Sequence, residues 1–162
     1  MDWSDYQQHQ QWMRQALDLA QGAGEAGEVP VGAVVVTAQG ERIAAAQNRR
    51  ERDCDPTAHA EILALRQAGQ AIQTWHLNQC TIYVTLEPCP MCMGAILQAR
   101  VGTLVFGADD PKTGAARTVL NLPDHPISFH RLRVWGGILE GDCRQQLQAW
   151  FQIRRLGGPN HP

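Results

Sequence analysis

The stretch from Cys80 to Ala99, CTIYVTLEPCPMCMGAILQA, decides which fold this chain can adopt. Its first seven residues, CTIYVTL, are mostly β-branched, aromatic or apolar, and they predict a buried strand. From Pro88 to Ala99 the residues predict a helix with proline in its first turn. A strand that leads within a few residues into a helix is typical of α/β proteins.

The other predicted elements also alternate between helices and strands. They are a helix at 5–21 that ends at Gly22-Ala23-Gly24, strands at 29–37 and 42–47, a helix that opens at 57 and runs to about 68, where Gly69 ends it, strands at 103–106 and 132–135, and a helix at 142–154. This order predicts an α/β/α domain of three layers, with a central mixed sheet of about five strands and helices on both faces. We expect residues 1–156 to form one domain and residues 157–162 a short flexible tail.

Composition narrows the class of protein. The 162 residues are 44% hydrophobic, which is too apolar for intrinsic disorder, and no apolar run is long enough to span a membrane. The formal net charge of −2 excludes a positive field over the whole molecule, although 13 of the 14 basic residues are arginines. The polar N-terminus lacks the pattern of a signal peptide, so we expect a cytoplasmic location.

Three residues carry the pattern of a metal site. Cys89 and Cys92 are three positions apart at a predicted helix start, where both thiols share one side and the helix dipole favours thiolates. His59 also stands near a predicted helix start. One imidazole and two thiolates leave the fourth position of a tetrahedral zinc ion open, which is typical of catalytic zinc. In that position zinc would lower the pKa of a water molecule from 15.7 to about 7.

Glu61 is the candidate proton carrier. It lies two residues after His59, so on a helix it cannot bind the same metal from the same face. It can still lean over the activated water, take its proton and pass the proton to a substrate.

Three other interpretations of these residues remain open at this stage. The C-x-x-C pair also fits a redox dithiol, although Cys89 follows several predicted elements rather than a first strand. A closed structural zinc site is a second possibility, with Cys54 or Cys80 as the fourth ligand. Taken singly, His59 and Glu61 fit an ordinary packed histidine and a solvated helix charge.

The motifs HAE (59–61) and PCPMC (88–92) resemble the zinc cytidine/deoxycytidylate deaminase superfamily. Within it, the chain is similar to the bacterial tRNA-specific adenosine deaminase family. The matching segments are VPVGAVVV (29–36), Asn48-Arg49, DPTAHAEILALRQ (55–67), YVTLEPCPMCMGAI (83–96), VFGADDPKTGAA (105–116) and, with gaps, DHPISFHR (124–131). The zinc motif specifies only the superfamily, whereas the KTGAA stretch is more specific to the tRNA enzymes.

The resemblance implies a cytidine-deaminase-like fold and a function. It implies a homodimeric zinc hydrolase, with one Zn²⁺ per subunit, that converts adenosine to inosine at the wobble position of a tRNA anticodon stem-loop. The roles it implies are zinc ligation by His59, Cys89 and Cys92, proton transfer by Glu61, and substrate binding by Asn48, Val31, Ala60, Asp110 and Lys112. Asp110 would contact a 2′-hydroxyl and so favour RNA over DNA.

The chain departs from the family pattern at several positions. Asp109 adds a second acid beside Asp110, which disfavours phosphate binding unless Arg117, Arg131 or the cluster of Arg49, Arg50 and Arg52 offsets it. Phe129 stands where the family commonly has asparagine, and either base stacking or core packing explains it. Arg154-Arg155 fits either an RNA contact or a helix dipole.

Two competing functions remain. A guanine or other small nucleobase deaminase of the same superfamily needs the same zinc and glutamate but has no use for the KTGAA loop and Asp110. A non-catalytic RNA-binding protein with structural zinc has no need to retain Glu61.

Overall fold

The structure, a computed structural model, describes residues 3–156. The expected tail at 157–162 lies outside the described residues. The helices and strands, in chain order, are α1 (Trp3–Glu25), β1 (Gly32–Thr37), β2 (Arg42–Gln47), α2 (Ala60–Ala71), β3 (Cys80–Leu86), α3 (Pro90–Gln98), β4 (Thr103–Ala108), β5 (Arg133–Gly136) and α4 (Glu140–Leu156).

The five strands form one mixed sheet in the order β2-β1-β3-β4-β5. β1 is antiparallel to both β2 and β3, whereas β3, β4 and β5 are parallel to one another. The predicted mixed sheet of about five strands is therefore confirmed.

Each face of this sheet is covered by different helices, and alternate residues of a strand contribute to the two hydrophobic cores. Ile82 and Val84 of β3 belong to the core beneath α2 and α3. Tyr83 belongs to a second core with Met13 of α1 and Cys143 of α4. Because successive strand side chains point to opposite faces, the apolar run of β3 supplies both cores. The three predicted layers are confirmed.

Two predicted helix ends are wrong, and both errors concern glycine. α1 continues through Gly24 to Glu25. A Cβ atom on Gly24 would lie only 3.2 Å from Trp150 Cδ1, so glycine at this position allows α4 to pack closely against the helix. Gly27, at a φ of +90°, follows the true end. α2 continues past Gly69 to Ala71, and a glycine within a helix costs only about 1 kcal/mol relative to alanine. The other predicted elements are present; the strands 42–47 and 80–86 have the predicted ends, and the remaining ends differ by at most three residues.

The pairing of the strands gathers four connecting segments at one edge of the sheet. β3 and β4 are parallel and Leu86 pairs with Ala108, so the segments that follow both strands leave at this edge. β1 is antiparallel to β3, so the segment that leads into Gly32 lies at the same edge of the sheet. Gln47, the last residue of β2, pairs with Gly32 and brings in the segment that begins at Asn48. Residues far apart in sequence thereby become neighbours.

None of the helices within residues 3–156 combines the length and the apolar character needed to cross a lipid bilayer.

Candidate metal centre and edge cavity

His59 and Cys89 each stand directly before a helix at this edge of the sheet. His59 precedes α2 and Cys89 precedes α3, both with extended backbone (φ −72°, ψ 151° and φ −70°, ψ 171°). The carbonyl of His59 accepts from Leu63 N and that of Cys89 from Met93 N, at 3.1 and 2.8 Å. Each residue therefore starts its helix while its side chain remains outside the helical ladder.

The three sequence-predicted ligands lie together. Nδ1 of His59 is 3.8 Å from Sγ of Cys89 and 3.5 Å from Sγ of Cys92, and all three atoms lie within 4.8 Å of one another. Bond lengths of about 2.0 Å to nitrogen and 2.3 Å to sulfur place neighbouring ligands of a tetrahedral zinc roughly 3.5–3.8 Å apart. The donor atoms and their spacing therefore fit zinc.

The two other cysteines considered as a fourth ligand are not part of this group. Cys54 is exposed, and its thiol lies 3.7 Å from the carbonyl oxygen of Glu51. Cys80 begins β3, at the opposite end of the strand from the edge where Cys89 lies. Among the residues that the structure describes, the metal-capable group consists of one histidine and two cysteines.

The electrostatics of the group favour a thiolate. The hydrogen bond from the Cys92 thiol and the contact with His59 lower the pKa of Cys89 to about 4, against the opposing effect of burial. The hydrogen bond that Cys92 donates to Cys89, together with burial, raises the pKa of Cys92. The contact with Cys89 raises the pKa of His59. Thiolate is the form of cysteine that binds metal.

Glu61 lies in the first turn of α2 and is only 4% exposed. Burial raises the pKa of its carboxyl group, because a charge is disfavoured away from water. A raised pKa makes this carboxyl group a better proton acceptor than an exposed glutamate.

A cavity of about 160 Å³, which we name the edge cavity, adjoins the metal-capable group. Its walls are formed by Val29, Val31, Asn48, Arg50, His59, Ala60, Glu61, Leu86, Glu87, Cys89, Asp110 and Thr113. At about 30 Å³ per water molecule, the space equals roughly five waters, which suits a single base better than a drug-sized ligand.

Most of the sequence-predicted site residues meet at this cavity. Val31, Asn48, Ala60 and Asp110 line it together with His59, Glu61 and Cys89. Cys92 is fully buried behind Cys89. Lys112 is exposed and is absent from the cavity wall, and its backbone N–H donates to Asp110 Oδ1 at 2.9 Å.

Sequence reasoning missed several residues of the cavity wall, namely Val29, Arg50, Leu86, Glu87 and Thr113. Arg50 belongs to a basic cluster that the sequence does display, and Thr113 belongs to the KTGAA stretch. Glu87 is 2% exposed, and the only available signal was an acidic residue between a buried strand and PCPMC.

The two neighbouring acids, Asp109 and Asp110, have separate partners. Arg117 donates to Asp109 Oδ1 through Nε and Nη2, at 3.0 and 2.8 Å. Asp110 accepts from the backbone of Lys112 and from both the backbone and the hydroxyl of Thr113. Arg117 therefore offsets the extra negative charge that Asp109 adds.

The structure also shows the surroundings of two further residues, Phe129 and Arg154, for each of which the sequence leaves two explanations. Phe129 is 63% exposed, so core packing does not explain it, and its ring lies 6.0 Å from the guanidinium of Arg100. Arg154 donates to the carbonyl of Gly27 at 2.6 Å and lies 4.1 Å above the ring of Trp150. Arg154 therefore ties the end of α4 to the segment after α1.

A second and much larger depression lies on the outer side of α2 and α3. This α2–α3 groove, of about 1030 Å³, is lined by residues that include Ile62, Leu65, Trp75, Met91 and Ala95. It contains none of the metal-capable residues. The larger depression is therefore separate from the metal-capable group.

Comparison with known proteins places this geometry among deaminases. The model of the MafB19-like deaminase family matches residues 7–145. The tRNA-specific adenosine deaminase of Bacillus subtilis is 46% identical over 148 residues, which cover 91% of each chain. That of Haemophilus influenzae is 48% identical over 143 residues, covering 88% of this chain and 83% of the relative.

Solved structures show the same relationship. A structure from studies of A-to-I editing by tRNA:A34 deaminases superimposes with a TM-score of 0.81 at 41% identity, covering 84% of this chain and 98% of the other. A guanine deaminase from Nitrosomonas europaea gives a TM-score of 0.73 at 27% identity, with 87% and 83% covered. The predicted deaminase fold is thereby confirmed.

Proposed function

We propose, from the premise that the chain belongs to the deaminase family and within it to the tRNA-specific adenosine deaminases, that it hydrolyses adenosine to inosine at the wobble position of a tRNA anticodon. One observation carries the proposal: a His-Cys-Cys group and a buried carboxyl group border a cavity of the size of one base. Guanine deaminase is the more distant match, at 27% against 41% identity.

His59, Cys89 and Cys92 would hold one zinc ion per subunit, and their donor atoms and separations support this assignment. Zinc in such a site supplies Lewis-acid activation of water, so that a nucleophile forms near neutral pH.

Glu61 then carries protons within the cavity. Its carboxylate accepts a proton from the water that attacks C6 of adenine and passes it to the ring nitrogen. It then moves the second proton, from the new C6 hydroxyl group, to the amino group, which leaves as ammonia. Water and adenosine thereby give inosine and ammonia. The raised pKa of Glu61 supports both roles, since the group must be deprotonated at one step and protonated at the next.

The remaining cavity residues would bind the extruded nucleoside. Val31 and Ala60 supply apolar walls for the base, and Asn48 supplies an amide. Asp110 would accept a hydrogen bond from a ribose 2′-hydroxyl next to the target, and Lys112 would contact the same strand from outside the cavity. An anticodon loop is a fitting substrate, because its bases are already partly unstacked and cost little to extrude.

We also propose that a second copy of the chain covers the α2–α3 groove and forms a homodimer. Trp75 and Met91 are 59% and 37% exposed and line the same groove, where exposed apolar side chains that share one surface are typical of a site of protein association. Met91 directly precedes Cys92, so a partner seated there would lie beside each metal-capable group and help to complete the site.

Residues 1–156 would act as one deaminase domain, and a protein with a tRNA substrate would work in the cytoplasm.

Incubation with a total tRNA pool tests the proposed reaction. The purified protein should convert one or more wobble adenosines to inosine, detected by sequencing, while guanine and cytidine offered in parallel remain unchanged. Turnover of guanine without any A-to-I change in tRNA would overturn the proposal.

A further inference from the structure

Glu28 and Glu87 are buried carboxyl groups that the proposed reaction does not use. They are 1% and 2% exposed, respectively. Burial of such a group is costly unless donors surround it. In both cases these donors are backbone N–H groups of a segment beside the edge cavity.

Glu87 gathers five donors from one loop. Its Oε1 accepts from the backbone N–H groups of Ala116, Arg117 and Thr118 at 3.0, 2.8 and 3.0 Å. Its Oε2 accepts from Asp110 N at 3.1 Å and from the hydroxyl of Thr118. One side chain thus holds both ends of the segment from Asp110 to Thr118.

The segment is shaped around this carboxyl group. A Cβ atom on Gly114 would overlap Glu87 Oε2, so only glycine fits at that position. The carbonyl of Asp110 accepts from Gly114 N at 3.0 Å, which closes the turn between the two anchored ends. Asp110 and Thr113, the two members of this segment that line the edge cavity, lie within that turn.

Glu28 holds a second segment beside the edge cavity, with fewer bonds. Its Oε1 accepts from Arg52 N at 2.8 Å and its Oε2 from Glu51 N at 3.1 Å. These two residues directly follow Arg50, which lines the cavity.

We propose that Glu87 is a positioning residue that fixes the segment 110–118 as the substrate-selecting wall of the edge cavity, and that it acts on RNA binding rather than on the chemical step. Glu28 is the counterpart for the segment 49–52. The inference rests on the proposed function, since it takes the strand beside the target base to be RNA. Asp110 can meet a 2′-hydroxyl only where its backbone is held.

A carboxylate is required because every group that faces Glu87 is able to donate. Glutamine offers one acceptor oxygen and one donor NH₂ group. With its oxygen in the Oε1 position, the NH₂ group faces Thr118 and Asp110. The Thr118 hydroxyl can rotate and accept, but the N–H of Asp110 is left without its acceptor. Glu87→Gln therefore releases the end of the segment that carries Asp110.

Glu87→Gln should raise the KM for an anticodon hairpin about tenfold and keep kcat within about threefold of the wild-type value. Amide hydrogen exchange at 110–118 should become faster, and zinc content should not change. Glu28→Gln is the matched variant, and it should accelerate exchange at 51–52 and leave 110–118 protected.

Unchanged exchange at 110–118, or a fall in kcat with an unchanged KM, would overturn the inference. A lower melting temperature with unchanged KM would do so as well, because it indicates a merely structural role. If Glu87→Gln does not fold, Thr118→Ala removes one of the five donors to the same carboxyl group and should also accelerate exchange at 110–118, to a smaller extent. A wild-type protein that leaves tRNA unmodified refutes the proposed function, and amide exchange still decides whether Glu87 holds the segment.

Discussion

The edge cavity and the α2–α3 groove are both concave, but they differ in size and in chemistry. The cavity of about 160 Å³ contains His59, Cys89, Glu61 and Asp110, whereas the groove of about 1030 Å³ is walled largely by apolar side chains. The larger depression is thus the one without the proposed catalytic groups. Reactive side chains must approach within a few ångströms of one atom, while an assembly surface needs area.

This contrast separates the expected effects of mutations. Changes in the cavity should remove metal, proton transfer or RNA selection and leave the subunits associated. Changes in the groove should mainly weaken the association of the two subunits and have a smaller effect on activity.

Cys92→Ser should have the largest effect. Serine retains the size of the buried Cys92 side chain but is a poor zinc ligand, so zinc should fall from about one ion per chain to under about a tenth, with loss of measurable deamination. Metal analysis by mass spectrometry measures the change. The control is Cys54→Ser, at an exposed cysteine outside the group, which should retain zinc. Full zinc occupancy in Cys92→Ser would show that the metal is held elsewhere.

Glu61→Gln should leave zinc in place and lower kcat on an anticodon hairpin about a thousandfold, because the amide cannot accept and return protons. Steady-state kinetics and metal analysis of the same preparation separate the two effects. Glu41→Gln, at an exposed glutamate between β1 and β2, is the matched control. Activity of Glu61→Gln within tenfold of the wild-type value is incompatible with the proposed role.

Trp75→Glu tests the groove. Trp75 is 59% exposed, so the chain should still fold, but a charge facing the partner should weaken association about tenfold or more. Sedimentation over a concentration series measures this. Ile153→Glu, at a 71% exposed position on α4 in the other helical layer, should leave association unchanged. Equal association of wild type and Trp75→Glu would remove the groove as the dimer surface.

Asp110→Asn should have the smallest effect. Asparagine retains an acceptor for the N–H groups of Lys112 and Thr113, so the turn persists, while the charged acceptor for a 2′-hydroxyl is lost. The ratio of activity on a deoxy-substituted hairpin to activity on RNA should rise about threefold. Asp18→Asn, on the exposed side of α1, serves as control. An unchanged ratio assigns Asp110 to the loop alone.

The sequence predicts the metal-capable group well, because His59, Cys89 and Cys92 lie beside helix starts that local signals reveal. It also predicts the layers and the central strands, whose apolar runs are long. The sequence does not predict the order of the strands or the burial of Glu61, because both arise only when these elements pack together.

Other features depend on contacts between distant segments and leave little local trace. Gly24 resembles a helix end in sequence, yet it is packed against Trp150, 126 residues later. The pairing of Asp109 with Arg117 and the five donors around Glu87 exist only after the 109–118 segment folds back. The groove is likewise a product of tertiary packing.

The bond from Arg154 to the Gly27 carbonyl has a practical consequence for anyone who shortens this chain. Gly27 is the neighbour of Glu28, whose carboxylate holds Arg52 at the rim of the edge cavity. A truncation that ends before Arg154 would delete no cavity residue, yet it would remove a brace two contacts away from that rim. Trimmed versions intended for crystals or fusions should therefore retain α4 through Leu156.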